Sequence, residues 1–266
     1  MTEFATSADG TPIAFDRYGT GPSVILVAGA MQVRGSDPTT SHMAELLADQ
    51  GFTVVNYDRR GRGESGPVKP DDAGNELQRE IDDLAALIDM LGGETHVFGN
   101  SSGGAIALWA ANEGLPIRRL TLWEVPFAVE DDGGAAAENV VELRGRITAG
   151  DKEGAVEYFM KDMPPAWLEG AKSSDAWPGM VELAPSLVAD AASLAIQGTP
   201  RSERWANVTQ PTLALVGTET LPIFPPAAEM LASDLANGRT RTMVASYHQW
   251  DAEVMAGTLA EEFGQE

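Results

Sequence analysis

Residues 23–29, SVILVAG, form an unbroken apolar run of strand length. A strand without a polar face has to be covered on both sides, which is the situation of a strand inside a parallel sheet layered with helices. Residues 52–58 (FTVVNYD) repeat the pattern, and residues 96–99, 119–124 (RLTLWE), 211–217 and 241–245 read as further short strands. Helical periods lie between them. Ile81, Leu84, Leu87, Ile88 and Leu91 recur at three- and four-residue spacing before a Gly92-Gly93 stop. Residues 105–111 are almost wholly apolar, residues 227–236 run up to Gly238, and a last segment carries Met255, Leu259 and Phe263. This alternation specifies an α/β fold with a mostly parallel central sheet. An opening hairpin over residues 3–18 turns at Asp9-Gly10.

The alternation stops between about residues 128 and 205. That stretch is punctuated by Pro and Gly, with helix-like pieces around 140–147 and 155–161 and no clear strand. We read it as a helical cap, 128–205, inserted into a core built from 1–127 and 206–266.

The composition narrows the function classes. A 43% apolar and 22% charged chain of 266 residues has ordinary globular balance and the length for one large α/β domain. No apolar run approaches the roughly 18 residues of a membrane span, and MTEFATSADG lacks the basic and apolar regions of a secretory leader, so cytoplasmic residence is the expectation. A net charge of -22 and a pI near 4.3 repel phosphate backbones and anionic lipid, which argues against nucleic-acid and membrane-surface partners. With Cys 0, neither a disulfide nor a thiolate nucleophile is available. Nucleophilic chemistry falls to oxygen or nitrogen groups.

Gly99-Asn100-Ser101-Ser102-Gly103 matches G-x-S-x-G, in which small flanking residues let a strand turn sharply into a helix and present the serine above the sheet. The bare pentamer is weak, but here it follows a strand ending at Phe98 and precedes a buried helix. With VILVAGAM at the end of an early strand, YDRRGRGES at 57–65, VFGNSSGG at the elbow and YHQW near the end, the chain resembles the α/β-hydrolase superfamily along nearly its whole length. It also resembles the capped, actinobacterial-type serine hydrolase branch. The resemblance implies the α/β-hydrolase fold. Two departures stand out: Ala28 where a histidine usually precedes the oxyanion glycine, and Asn100 where that branch often carries histidine.

A serine hydroxyl needs a base to take its proton, and histidine is suited to that near neutrality. Of the three histidines, His42 lies in a helical stretch that looks surface-facing and His96 begins the strand leading to the elbow, so both read as structural. His248 lies between the last strand and the last helix, and comes last in the Ser…acid…His order that the superfamily uses. Ser101 is then the nucleophile and His248 the base. By the same resemblance the oxyanion hole is made of the backbone amides of Ala30 and Ser102.

The acid is open between two glutamates. The loop after residues 211–217 reads Gly217-Thr218-Glu219-Thr220, with threonine where the superfamily commonly places aspartate. Glu124, at the end of the preceding core strand, resembles a glutamate that serves as acid in some related dehalogenases, and it is the first choice; Glu219 is the alternative. Phe127, Phe159, Met160, Met163, Trp167, Trp177 and Met180 suggest an apolar pocket roof, although such residues are more often cap core than ligand contacts. Arg34 reads as a surface ion pair, with a substrate carboxylate as the other option.

These readings converge on a serine hydrolase that cleaves ester or lactone bonds of a small, largely apolar substrate. C–C bond hydrolysis, a lyase reaction, a cofactor-free peroxidase-like activity and a non-catalytic ligand-binding role on the same fold remain alternatives. No metal, nucleotide or redox cofactor is implied, for want of a ligand cluster or phosphate-binding glycine loop. The partner is a small-molecule substrate, and none of these features encodes an oligomeric state.

Overall fold

The computed structural model describes residues 1–129, 134–195 and 203–265. The opening hairpin is β1 (Glu3–Thr6) and β2 (Pro12–Tyr18), antiparallel, with Gly10 supplying the φ of +82° in its turn. The strands β3 (Ser23–Val27), β4 (Thr53–Tyr57), β5 (Thr95–Asn100), β6 (Ile117–Trp123), β7 (Thr212–Glu219) and β8 (Gly238–Ser246) follow. They form one eight-stranded sheet in the order β1-β2-β4-β3-β5-β6-β7-β8. β2 is antiparallel to β4, and every neighbouring pair from β4 across to β8 is parallel.

The two faces of β3 explain its unbroken apolar sequence. Val24 and Leu26 pack with Met43 and Leu47 of α1 (Pro38–Asp49) and with Met255 and Leu259 of α10 (Ala252–Phe263). Ile25 and Val27 pack on the other side with Leu84 and Leu87 of α2 (Glu76–Met90) and Leu108 of α3 (Ser102–Asn112). Alternate residues therefore serve opposite layers, and neither set reaches water. Phe224 and Leu231 of α9 (Phe224–Asp234) join the second layer.

β3 pairs with β4 on one side and β5 on the other. The chain thus leaves β3 in one direction and returns on its opposite flank. The connections after β3 and β5 run to opposite flanks of the sheet, which makes the carboxyl edge between these strands the switch point where α/β sheets place ligands.

Between β6 and β7 the described residues form five α-helices: α4 (Gly134–Thr148), α5 (Lys152–Phe159), α6 (Pro165–Lys172), α7 (Trp177–Glu182) and α8 (Leu187–Leu194). The periodicity anticipates the first two. The other three escape it: α6 and α7 carry Pro in the first turn, which reads as a breaker although that position tolerates it, and α8 is buried over six of its eight residues, leaving no polar face to set a period. The insertion has its own apolar cluster around Val140, Leu143, Val156 and Leu187, and Ala30 and Met31, from the loop after β3, pack against it. Phe159, Met163, Trp167, Trp177 and Met180 lie along the same cluster. Phe127 departs from the roof reading: it is buried in the sheet-side core against Trp205, with ring centroids 5.8 Å apart. β7 is also two residues longer than its apolar run, so Glu219 ends a strand, opposite Ser246 of β8, instead of lying in a loop. Among the described residues no helix is long and apolar enough to cross a membrane.

Candidate active site

β5 is buried along its whole length and ends at Asn100; α3 begins two residues later. Ser101 makes the turn alone, at φ +54° and ψ -126°. Such a conformation costs an L-residue on the order of 1–3 kcal/mol and persists only where its surroundings enforce it. Here the Ser101 amide donates to the Trp123 carbonyl at 2.8 Å, while its own carbonyl accepts from Gly104 N at 2.9 Å. The glycines around it are steric necessities. A Cβ on Gly99 would lie 2.5 Å from Gly104 Cα, and one on Gly103 would lie 2.4 Å from the Val27 and Ala28 carbonyl oxygens. Helix and strand approach too closely for any side chain there.

Adjacent to β5, β6 ends at Trp123, and the next residue, Glu124, is buried at φ +43°. Its two carboxylate oxygens are divided between two donors. Oε1 accepts from Gly217 N at 2.9 Å, and Oε2 accepts from His248 Nδ1 at 2.5 Å. A carboxylate only accepts, so the Nδ1 proton belongs to histidine and the neutral ring keeps Nε2 as its acceptor. His248 is half-buried in the turn between β8 and α10, where Tyr247 and His248 both have positive φ, +53° and +66°. Its ring stacks on Phe224, centroids 4.7 Å apart and nearly coplanar at 5°. Its carbonyl accepts from Trp123 Nε1 at 3.4 Å.

Of the two candidate acids, Glu124 meets His248 and Glu219 does not. The Glu219 side chain is exposed and makes no hydrogen bond or ion pair among the described residues; its carbonyl accepts from Tyr247 N at 2.9 Å.

The loop after β3 carries Ala30. Gly29 N donates to Gln32 Oε1 at 2.6 Å, and Asn100 Nδ2 donates to the same oxygen at 2.8 Å, so Gln32 ties this loop to the elbow. Asn100, one of the two departures from the family pattern, is thereby used structurally. The amides of Ala30 and Ser102 donate to no protein acceptor among the described residues.

A family model described as "Alpha/beta hydrolase family" matches residues 24–260. The chain belongs to the alpha/beta hydrolase family. In overall structure this chain is similar to an alpha/beta hydrolase from Sphaerobacter thermophilus, 38% identical, with a TM-score of 0.83 over 98% of this chain and 100% of that one. In sequence it is 31% identical over 110 residues to a bifunctional esterase/perhydrolase of Acinetobacter calcoaceticus, a stretch covering 41% of this chain and 38% of that protein. A non-heme haloperoxidase of Rhodococcus erythropolis is 31% identical over 113 residues, covering 42% of this chain and 39% of the relative.

Sequence reasoning missed a buried charge cluster behind the elbow of the hydrolase. Arg59 pairs with Glu80 at 2.8 Å and with Asp190 at 2.5 Å, Arg62 pairs with Asp190 at 2.7 Å, and these side chains are inaccessible to water. Burial works against the Asp190 charge, but the flanking Arg59 and Arg62 hold its pKa below the usual carboxylate range. The available signal was RRGR at 59–62, four residues with three cations directly after an apolar strand. Its partner Asp190, on α8, is too distant in sequence to be paired by inspection. Arg34 corrects the surface reading: it is 8% exposed, held by Asp58 at 3.1 Å, Asp16 at 2.7 Å and Glu64.

The other histidines lie away from the site. His42 is exposed, 3.7 Å from Glu45, and His96 is buried against Phe263 with centroids 4.8 Å apart. A cavity of about 310 Å³ opens beside His248. Met31, Gln32, Val33 and Trp250 are among its walls, and the insertion's aromatic and Met residues are not.

Proposed function

We propose that this hydrolase cleaves ester or lactone bonds through an acyl-enzyme on Ser101. The observation that carries the reading is the Glu124–His248 hydrogen bond of 2.5 Å, held at the carboxyl edge beside the strained Ser101 turn. Ser101 Oγ attacks the acyl carbon while His248 Nε2 takes the hydroxyl proton, and the imidazolium so formed is stabilised through Nδ1 by Glu124. The amides of Ala30 and Ser102 receive the developing oxyanion. The alcohol leaves with the proton held by His248. Water, deprotonated by the same nitrogen, then releases the acid.

The cap we assign is 128–205 on a core of 1–127 and 206–266, as in the capped, actinobacterial-type branch; the packing of the insertion's apolar cluster against Ala30 and Met31 supports it. The volume of the neighbouring cavity favours a small substrate, and its walls mix apolar Met31, Val33 and Trp250 with polar Gln32, Asp37 and Thr39. A second reading draws on the similarity to an esterase/perhydrolase: hydrogen peroxide replaces water at the acyl-enzyme, giving a peracid and free Ser101.

The test is turnover of p-nitrophenyl esters and lactones graded by acyl length. Wild type is expected to hydrolyse the short and medium esters, and Ser101→Ala to lose about 10⁴ to 10⁶ in kcat while still folded. A folded Ser101→Ala protein with more than a tenth of wild-type activity overturns the assignment.

A further inference from the structure

The buried carboxylate of Asp190 touches both halves of the oxyanion hole assigned above. Its Oδ1 accepts from Ser102 Oγ at 2.7 Å, and Ser102 contributes one of the two amides. Its Oδ2 accepts from Arg62 Nη2 at 2.7 Å, and Arg62 Nη1 donates to the Gly29 carbonyl at 2.5 Å. That carbonyl shares a peptide plane with the Ala30 N–H, the other amide. In a trans peptide the two groups point in opposite directions, so a cation gripping the oxygen fixes where the N–H points. It also polarises the peptide and strengthens the N–H as a donor, since hydrogen bonds through one amide are cooperative. Arg59, on the same carboxylate, holds the preceding carbonyl, Ala28 O, at 3.2 Å.

From this we infer that Asp190 is a positioning residue for oxyanion stabilisation, aligning the Ala30 and Ser102 amides through Arg62 and the Ser102 hydroxyl. The inference rests on the acyl-enzyme reading. It gives the insertion a function beyond covering the crevice: α8 supplies the group that sets the donor geometry. A node that only held the insertion down would need no contact with Ser102 Oγ, and that hydroxyl is the part that can be removed while the amide is kept.

Two variants and two readouts test it. Ser102→Ala keeps the amide and deletes the tether; Asp190→Asn keeps the size and removes the charge that holds Arg62. Losing an oxyanion donor outright costs about 10²–10³ in kcat, and misaligning one costs part of that. We expect kcat to fall about tenfold in Ser102→Ala and about 10²-fold in Asp190→Asn, with KM within about threefold of wild type. Affinity for an aryl trifluoromethyl ketone, whose hemiketal on serine places an oxyanion in the hole, should fall by the same factors. Affinity for the matching methyl ketone should not. Wild-type kcat and trifluoromethyl ketone affinity in folded Ser102→Ala overturn the inference, and this variant decides alone if Asp190→Asn does not fold. Ser101→Ala, run alongside, separates the two levels. If it is inactive while both tether variants match wild type, only the positioning role fails; if it is active, the acyl-enzyme reading fails and this inference with it.

Discussion

The acid role proposed for Glu124 rests on its surroundings. It follows directly on β6, is 2% exposed, and spends one oxygen on Gly217 N and the other on His248 Nδ1. Glu219 sits at the end of the neighbouring strand with its side chain in water. An acid that fixes the imidazole tautomer is worth about 10⁴ in kcat when replaced by its amide with geometry kept. Steady-state kinetics at one pH are therefore expected to show Glu124→Gln reduced by about that factor and Glu219→Gln within about tenfold of wild type. The reverse order would move the acid to Glu219. At this scale the candidates Ser101, His248 and Glu124 could be named from the sequence, because each is marked by a strand end or a loop next to it, and of the three the structure joins Glu124 to His248. Asp190 could not be read: its identity as a partner of Arg59 and Arg62 depends on a contact more than 120 residues away in the chain.

Among the elements, β5 does most to place the site, and it also contains a titrating group. Burial, with Arg118 and Arg119 adding to it, lowers the pKa of His96 from 6.5 to about 4, so the folded protein keeps this ring neutral, stacked on Phe263 of α10. Above pH 6.5 neither folded nor unfolded chain is protonated there, and the position exerts no pH dependence. As the pH falls from 6.5 toward 4 only the unfolded chain takes up the proton, so stability is lost across that window. Denaturant unfolding at pH 7 and pH 5 is expected to show His96→Gln losing less stability than wild type over that interval, by roughly 2 kcal/mol. Equal losses would mean that His96 is not held neutral. The long, periodic α2 and the strand runs were legible because their apolar residues follow one period throughout. The helices α6, α7 and α8 were not, since no α6 or α7 residue is fully buried to mark a face and α8 is buried over six of its eight residues, so no polar face sets a period. The end of β7 was missed for a related reason: Thr218 and Glu219 are exposed, so pairing with β8 extends the strand past its apolar sequence.

Taken as a whole, the molecule spends its few cations selectively. Against 40 acidic residues it has 18 Lys and Arg, and Arg34, Arg59, Arg60 and Arg62 are all buried on carboxylates. These four bind the hairpin, the loop after β4 and the insertion to one another behind the elbow, while the excess acid remains on the surface. Removing one partner of such a pair is expected to destabilise by about 3–5 kcal/mol, because a charge is stranded without water. Through Arg59 and Arg62 the network also holds the Ala28 and Gly29 carbonyls of the loop after β3, beside the elbow. The central claim, that Ser101 is a nucleophile activated by the Glu124-held His248, is tested most directly by peptide mapping after reaction with a fluorophosphonate. The account predicts one adduct per chain, on Ser101, forming in wild type and slowed at least a hundredfold in folded His248→Ala, in line with the size of nucleophile–base coupling. An adduct on any other residue, or a folded, ester-cleaving protein that takes up no label, would contradict it.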